Sequence, residues 1–241
     1  QNYIKQSKNS SAGPVGTPFL VYRIAPDIAG ELILADLKTL GLEDHIPWVG
    51  YNHSLLYLIP KKLTGLLPDT RPIQVPNTSN RLTSGLIKEA IQTQVAEIVS
   101  KDQKAFVKGR RILEHVIDIT STYYSALSKK QQAFILLLDF KKAYDSVSHD
   151  FLLTLLDKIG FPVWVKHAVK NLLKDQVAHL TRPFAGLPVG IGRGVKQGCP
   201  LSPLLFILVI DTLVRRLERL ALTSKAFADD IGLVSGTSAA S

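Results

Sequence analysis

Three aspartates carry the chemistry this sequence suggests. Asp229 and Asp230 are adjacent, between Ala226-Phe227-Ala228 and the apolar run Ile231 to Val234. Two short apolar segments flanking a polar pair read as a tight β-hairpin with the acids at its turn. Asp139 ends a second apolar run, Ala133 to Leu138, which reads as a buried strand. Two strand ends would then bring Asp139 and Asp229 together from 90 positions apart in the chain. Clustered carboxylates repel by roughly 4 kcal/mol per pair at about 4 Å and an effective dielectric near 20. A fold tolerates that when a cation sits among them. Mg²⁺ suits one or two carboxylates plus substrate phosphates, and two such ions about 3.5–4 Å apart serve nucleotidyl transfer. An isolated Asp-Asp in a hairpin would otherwise be turn chemistry alone.

The elements that must position these acids follow from periodicity. Residues 19 to 42 carry Leu32, Ala35, Leu37 and Leu40 near helical spacing, with Gly41 as a stop. Leu55 to Ile59 reads as a strand entering the basic turn Pro60-Lys61-Lys62, and Lys61 to Pro76 reads as a loop containing Arg71-Pro72-Ile73. Residues 82 to 100 and 111 to 127 read as amphipathic helices. Ser148 is an N-cap for a helix closed by Gly160, and Trp164 to Lys174 forms another. Residues 177 to 195 alternate in places and suggest a hairpin or loop pair. Ser202-Pro203 opens a helix running to about Leu222. Few strands separated by helices favour an α+β fold, with a small antiparallel sheet packed by helices.

Composition narrows the class. The chain has 241 residues, 46% hydrophobic and 20% charged, enough for one large domain or two small ones. Lys plus Arg is 29 against 20 acids, a net charge of +9 that suits an anionic partner such as nucleic acid. No run reaches membrane-spanning length, and residues 1–11 are polar, with no signal peptide, and are expected to be disordered. The single Cys199 excludes an intrachain disulfide framework and fits a reducing, intracellular setting, nuclear or cytoplasmic. The absence of any Met, even at position 1, suggests an internal fragment of a longer product.

Ordered segments then carry a resemblance. They are Gly13-Pro14 to Phe19; Ile59-Pro60-Lys61-Lys62 to Arg71-Pro72-Ile73; Gln103-Lys104-Ala105-Phe106-Val107-Lys108-Gly109-Arg110; Asp139-Phe140-Lys141-Lys142-Ala143-Tyr144-Asp145; Gly194 to Pro203; and Phe227-Ala228-Asp229-Asp230. In order and spacing this set resembles the reverse transcriptases of non-LTR (LINE-type) retrotransposons over about residues 12–235. Group II intron reverse transcriptases share much of it.

The resemblance implies a right-hand polymerase, with residues 12–132 mainly fingers and 133–241 mainly palm. The thumb is expected to be absent, because the chain stops after the hairpin. It implies RNA-templated addition of dNTPs to a DNA primer 3′-hydroxyl. Asp139, Asp229 and Asp230 would be the catalytic metal-site acids, holding two Mg²⁺ ions, with Mn²⁺ as a substitute. Tyr144 would be the steric gate under the sugar, beside Phe140. Gln197 and Gly198 would form the turn beneath the nucleotide and template base. Lys61, or Lys62 in its place, and Arg71 would touch the triphosphate, while Lys108, Arg110 and Arg111 would meet template phosphates. Asp145 and His149 are read as structural, Cys199 as a packing residue, and Trp48 and Trp164 as core.

Two departures are visible. The first segment lacks the family's usual Asp, reading Gly13-Pro14-Val15-Gly16-Thr17, and Phe227 replaces the usual Tyr. Two other functions remain open. One is an inactive retroelement remnant that at most binds nucleic acid. The other is an RNA-templated RNA polymerase, against which Ala228 and Tyr144 both speak. No membrane partner is implied, and the pattern sets no oligomeric state.

Overall fold

Ser148 shows how local chemistry sets an element here. Its side chain accepts a hydrogen bond from the Phe151 amide at 3.3 Å and starts helix α6 (His149–Ile159). Gly160 ends that helix in the left-handed conformation, φ 84°. Between the two caps, Leu152 and Leu156 lie four residues apart and both are buried. The computed structural model describes residues 2–62, 66, 69–181, 187–219 and 223–237.

The chain divides into two compact units, Gln1–Ala90 with Tyr144–Ser202, and Ile91–Ala143 with Pro203–Ser241. Helix α4 (Thr78–Ile98) carries the chain from the first to the second.

In the first unit, α1 (Asn2–Lys5), α2 (Phe19–Ile24) and α3 (Pro26–Leu40) precede α4, and α7 (Val163–Leu173) follows α6. Ile4, Phe19, Ala29, Ile33 and Leu82 form one buried cluster. Residues 2–5, expected to be disordered, therefore form a helical turn. Ile4 is 2% exposed, and its burial contributes roughly 1.5–3 kcal/mol. The Gly13–Phe19 segment is strapped to α4: Asn77 Oδ1 accepts from the Val15 amide at 3.0 Å, and Thr78 Oγ1 donates to Thr17 O at 2.6 Å.

The first unit's sheet has the order β2-β1-β4-β5, built from β1 (Ser54–Pro60), β2 (Thr70–Pro76), β4 (Val177–Leu180) and β5 (Pro188–Gly190). It is mixed rather than antiparallel, because β1 and β4 pair in parallel. Residues 70–76, expected as loop, are strand β2, paired antiparallel with β1 over its length. β2 is an edge strand, the one place in a sheet where Pro72 and Pro76 are tolerated. Residues 182–186 of the expected hairpin at 177–195 lie outside the described residues, as do 220–222 after the helix expected to reach Leu222.

The second unit holds β3 (Gln132–Leu138), β6 (Thr223–Phe227) and β7 (Asp230–Thr237) in the antiparallel order β3-β7-β6. Helix α5 (Ile112–Ser128) packs on this sheet and α8 (Ser202–Arg219) leads into β6. The strand β3 was expected to be buried, yet Phe134, Ile135, Leu136 and Leu137 are between 42% and 75% exposed. Among the described residues it has a sheet neighbour, β7, on one side only. Among the described residues the fold is thus α+β, with eight α-helices and two small sheets.

Candidate active site

The register of the second unit's sheet places the acids. Leu138 pairs with Ile231, so Asp139, the next residue on β3, comes level with Asp230 on β7. Phe227 pairs with Asp230 across the hairpin, which leaves Ala228 and Asp229 as its turn. A β-hairpin turn of two residues needs left-handed backbone, and Ala228 supplies it at φ 58°. For a non-glycine residue that costs roughly 1–2 kcal/mol. The Asp230 carboxyl titrates above the usual range, first through desolvation and then through the negative charges of Asp229 and Asp139. All three carboxylates are thus electrostatic neighbours, and a divalent cation would relieve their mutual repulsion. Among the described residues, however, no group of three His, Cys, Asp or Glu side chains is gathered to hold a metal ion. The donor set fits a hard cation by chemistry and by strand register, not as a closed cage.

The hairpin is braced from behind. Lys225 on β6 donates to Asp102 Oδ1 at 2.7 Å and pairs with Asp118 Oδ2 at 3.0 Å. Ala226 is held by both its backbone groups: its amide donates to Asp102 O at 2.8 Å, and its carbonyl accepts from Lys104 N at 3.0 Å. His115 Nε2 lies 2.8 Å from Asp102 O and 3.2 Å from Ala226 O. Both neighbours are carbonyls, so Nε2 carries the proton. Sequence reasoning assigned none of these supporting roles. Lys225 looks like any basic residue in a strand, and its two acids come from distant segments.

Arg110 is a correction. Its guanidinium donates to four backbone carbonyls: Ser100 O at 2.5 Å, Gln103 O at 2.7 Å, Ala96 O at 2.7 Å and Val99 O at 3.2 Å. It closes the C-terminus of α4, where orphan carbonyls and the helix dipole both favour a cation. A guanidinium spent in this way has no fork left for a template phosphate. Lys108 and Arg111 are exposed instead. Arg110→Gln is expected to lower stability by about 2–4 kcal/mol and leave the salt dependence of RNA binding unchanged. Lys108→Gln is expected to leave stability alone and reduce the slope of log K against log salt by about one. Denaturant melts and binding titrations at several salt concentrations check both. A reduced slope in Arg110→Gln would restore the phosphate role.

Lys61, Arg71, Tyr144, Gln197 and Gly198 belong to the first unit. Ile59 pairs with Arg71 and Pro60 with Thr70, so Lys61 and Arg71 sit at the same end of the β1–β2 pair, and both are exposed. Tyr144 begins a short 3₁₀ turn, Tyr144–Ser146, and is half-buried. Its carbonyl accepts from Val195 N at 2.9 Å, while Gly194 N donates to Val147 O at 2.8 Å. These bonds lace Tyr144 and Val147 to the loop that carries Gln197 and Gly198. Gln197 O accepts from Gln74 N of β2 at 2.9 Å, and its side chain makes a long 3.5 Å hydrogen bond to Asp145 Oδ1. A side chain on Gly198, φ 134°, would put its Cβ 2.0 Å from Gln74 O. Lys196 is buried beneath the same loop, its Nζ donating to Asn52 O at 2.9 Å, and burial pulls its pKa down to about 8.

His149 Nε2 lies 2.8 Å from Gly194 O, a structural contact as read from the sequence. Trp164, expected in the core, is 42% exposed. Phe140, after Asp139 in the second unit, is half-buried.

Residues 59–240 match the profile of the reverse transcriptase (RNA-dependent DNA polymerase) family. The chain belongs to the reverse transcriptase family. This reverse transcriptase chain is 30% identical over 196 residues to the transposon TX1 uncharacterized 149 kDa protein of Xenopus laevis, covering 76% of the chain and 15% of that protein. It is 28% identical over 246 residues to the retrovirus-related Pol polyprotein from the type-2 retrotransposable element R2DM of Drosophila melanogaster, covering 96% of the chain and 22% of that protein. The chain thus spans under a quarter of the length of either relative.

Among solved structures it is similar to telomerase from Candida albicans in complex with a fragment of telomeric RNA. The TM-score is 0.58 at 14% identity, covering 76% of this chain and 38% of that one. At that identity the likeness is one of fold. The reverse transcriptase chain is therefore a domain related to the Pol proteins of non-LTR retrotransposons, and polymerases of this family use divalent metals. No helix among the described residues is long and apolar enough to cross a membrane.

Proposed function

We propose that this reverse transcriptase domain catalyses RNA-templated DNA synthesis by two-metal nucleotidyl transfer. The observation that carries the reading is the register that sets Asp139 level with Asp230 beside the Asp229 turn, with Asp230 titrating high among its neighbours. Asp139 and Asp229, supported by Asp230, would hold two Mg²⁺ ions. Bound there, the ions would lower the pKa of the primer 3′-hydroxyl and stabilise the leaving pyrophosphate oxygen. The chain's own residues do the rest. Lys61 and Arg71 would neutralise the triphosphate, the Gln197–Gly198 turn would support nucleotide and template base, Tyr144 would exclude a 2′-hydroxyl, and Phe140 would contact the substrate. Lys108 and Arg111 take template phosphates. On this reading residues 12–132 are mainly fingers and 133–241 mainly palm, though 238–241 lie outside the described residues.

Tyr144→Ala is expected to raise ribonucleotide incorporation relative to deoxynucleotide by about tenfold or more, because the ring fills the space a 2′-hydroxyl needs. Single-nucleotide incorporation with matched dNTP and rNTP measures the ratio, and an unaltered preference would reduce Tyr144 to a packing residue.

The proposal itself is tested by Mg²⁺-dependent extension of a DNA primer on RNA. The assay uses the 241-residue chain, and the same chain carried in a longer polypeptide as in its relatives. No product from either, where a control polymerase extends, would overturn it. A second reading, a nucleic-acid binder without turnover, is favoured by the lack of a gathered three-ligand cluster among the described residues. It predicts salt-sensitive RNA binding and no extension in either context.

A further inference from the structure

We infer that Gln103 is a positioning residue for the proposed metal site, its carboxamide fixing the backbone of Ala228 and thereby the direction of Asp229. The inference rests on the polymerase reading above. Gln103 is 0% exposed. Its Oε1 accepts from the Ala228 amide at 3.0 Å, and its Nε2 donates to the Ala228 carbonyl at 3.3 Å. One side chain thus holds both backbone groups of one residue. That residue is the left-handed Ala228, φ 58°, immediately before Asp229.

The clamp is itself fixed. Gln103 Oε1 also accepts from the Ala105 amide at 3.0 Å. The Gln103 backbone bridges Ala226 in parallel, its amide donates to Ser100 O at 3.1 Å, and its carbonyl accepts from Arg110 Nη1 at 2.7 Å. Arg110, removed from the template-binding set, reappears as part of the frame behind this clamp.

The chemistry demands an amide. A carboxamide presents an acceptor and a donor side by side, so it can pair with an N–H and a C=O of the same residue. An ionised Glu accepts only, Met does neither, and Asn is one methylene short. Without the clamp, the left-handed turn loses the contacts that over-determine it. A metal site tolerates errors of only about 0.5 Å in its ligands. A turn free to relax would move the Asp229 Cα by more than the site allows.

The test is Mn²⁺ binding by the 241-residue chain, followed by loss of the free-ion EPR signal, with no substrate present. Amide hydrogen exchange at Ala228, read by NMR, reports the turn directly. Gln103→Met is expected to weaken Mn²⁺ binding about tenfold or more and to speed Ala228 exchange. Gln103→Glu keeps the acceptor, loses the donor to Ala228 O and sets a buried carboxylate against that carbonyl. It is expected to weaken binding about threefold or more, and it stands in should Gln103→Met not fold. Ser100→Ala loosens the same segment without touching Ala228, since Ser100 Oγ bonds Glu218 and the Asp102 amide. It is expected to leave Mn²⁺ affinity unchanged. Wild-type affinity in a folded Gln103 variant, or an equal loss in Ser100→Ala, would overturn the positioning role. A wild-type chain that takes up no Mn²⁺ would overturn this inference, and one that also extends no primer would overturn the polymerase reading with it.

Discussion

Asp139→Asn is expected to abolish primer extension, with a loss of roughly a thousandfold or more, or about 4 kcal/mol of transition-state stabilisation. The substitution keeps size and shape and removes one charge at the end of β3. A neutral amide is a poor Mg²⁺ ligand, and the ion it fails to hold is the one that would activate the attacking hydroxyl. A second readout follows from electrostatics. The Asp230 carboxyl is held high by desolvation, by Asp229 and by Asp139, so removing the Asp139 charge should bring its pKa down toward the ordinary range. Carboxyl titration by NMR reads that shift without any substrate. RNA binding should hold, because the phosphate contacts proposed for Lys108 and Arg111 do not depend on Asp139. Extension at the wild-type rate would remove Asp139 from the metal site, and an unmoved Asp230 titration would mean the two carboxylates do not communicate.

Gly198→Ala should be nearly as damaging by a different route. A Cβ there would lie 2.0 Å from the Gln74 carbonyl oxygen, and φ 134° is a conformation few side chains accept. The Cβ meets a backbone oxygen, so no flexible side chain can yield. The cost is about 3 kcal/mol or more, which in a chain of this size lowers the melting temperature by about 6–12 °C. A turn that survives must pull away from β2, breaking the 2.9 Å bond from Gln74 N to Gln197 O. The nucleotide KM should then rise. Gly192→Ala is the control, since nothing lies within 4 Å of a Cβ there. Equal melting temperatures for the two variants would refute the account.

Legibility in the sequence depended on whether a feature was local. The Ser148 cap, the Gly160 stop and the apolar run before Asp139 are read from neighbours along the chain, and the structure has them. The hairpin around Asp229 is also present, though Asp230, read as part of the turn, is the first residue of β7. Strand β2 was hidden because Pro72 and Pro76 argue against a strand unless it is known to lie at an edge. The parallel pairing of Ser54 with Ala178 joins residues 124 apart, which no pattern of spacing reports. Ile4 looked like one apolar residue in a polar tail, and its burial against Phe19 and Ile33 is a tertiary fact. Arg110 was misread for the same reason. A basic residue in a loop suggests solvent and phosphate until the carbonyls of Ala96 and Val99 appear around it. The three acids stood out because two short apolar runs, Ala133 to Leu138 and Ala226 to Ala228, each end on a charge. Gln103, which holds one of them in place, had no signal beyond its place in a motif.

Strand β3 has a practical consequence for anyone handling this chain by itself. Four consecutive apolar residues, Phe134 to Leu137, lie on a sheet edge and stand well out of the protein surface. No proline or charge interrupts them to discourage another strand from joining. At high concentration such a stretch templates intermolecular cross-β stacking, and the net charge of +9 opposes it less as salt screens it. Precipitation should therefore worsen with added salt, contrary to the usual practice of keeping a basic nucleic-acid binder soluble with it.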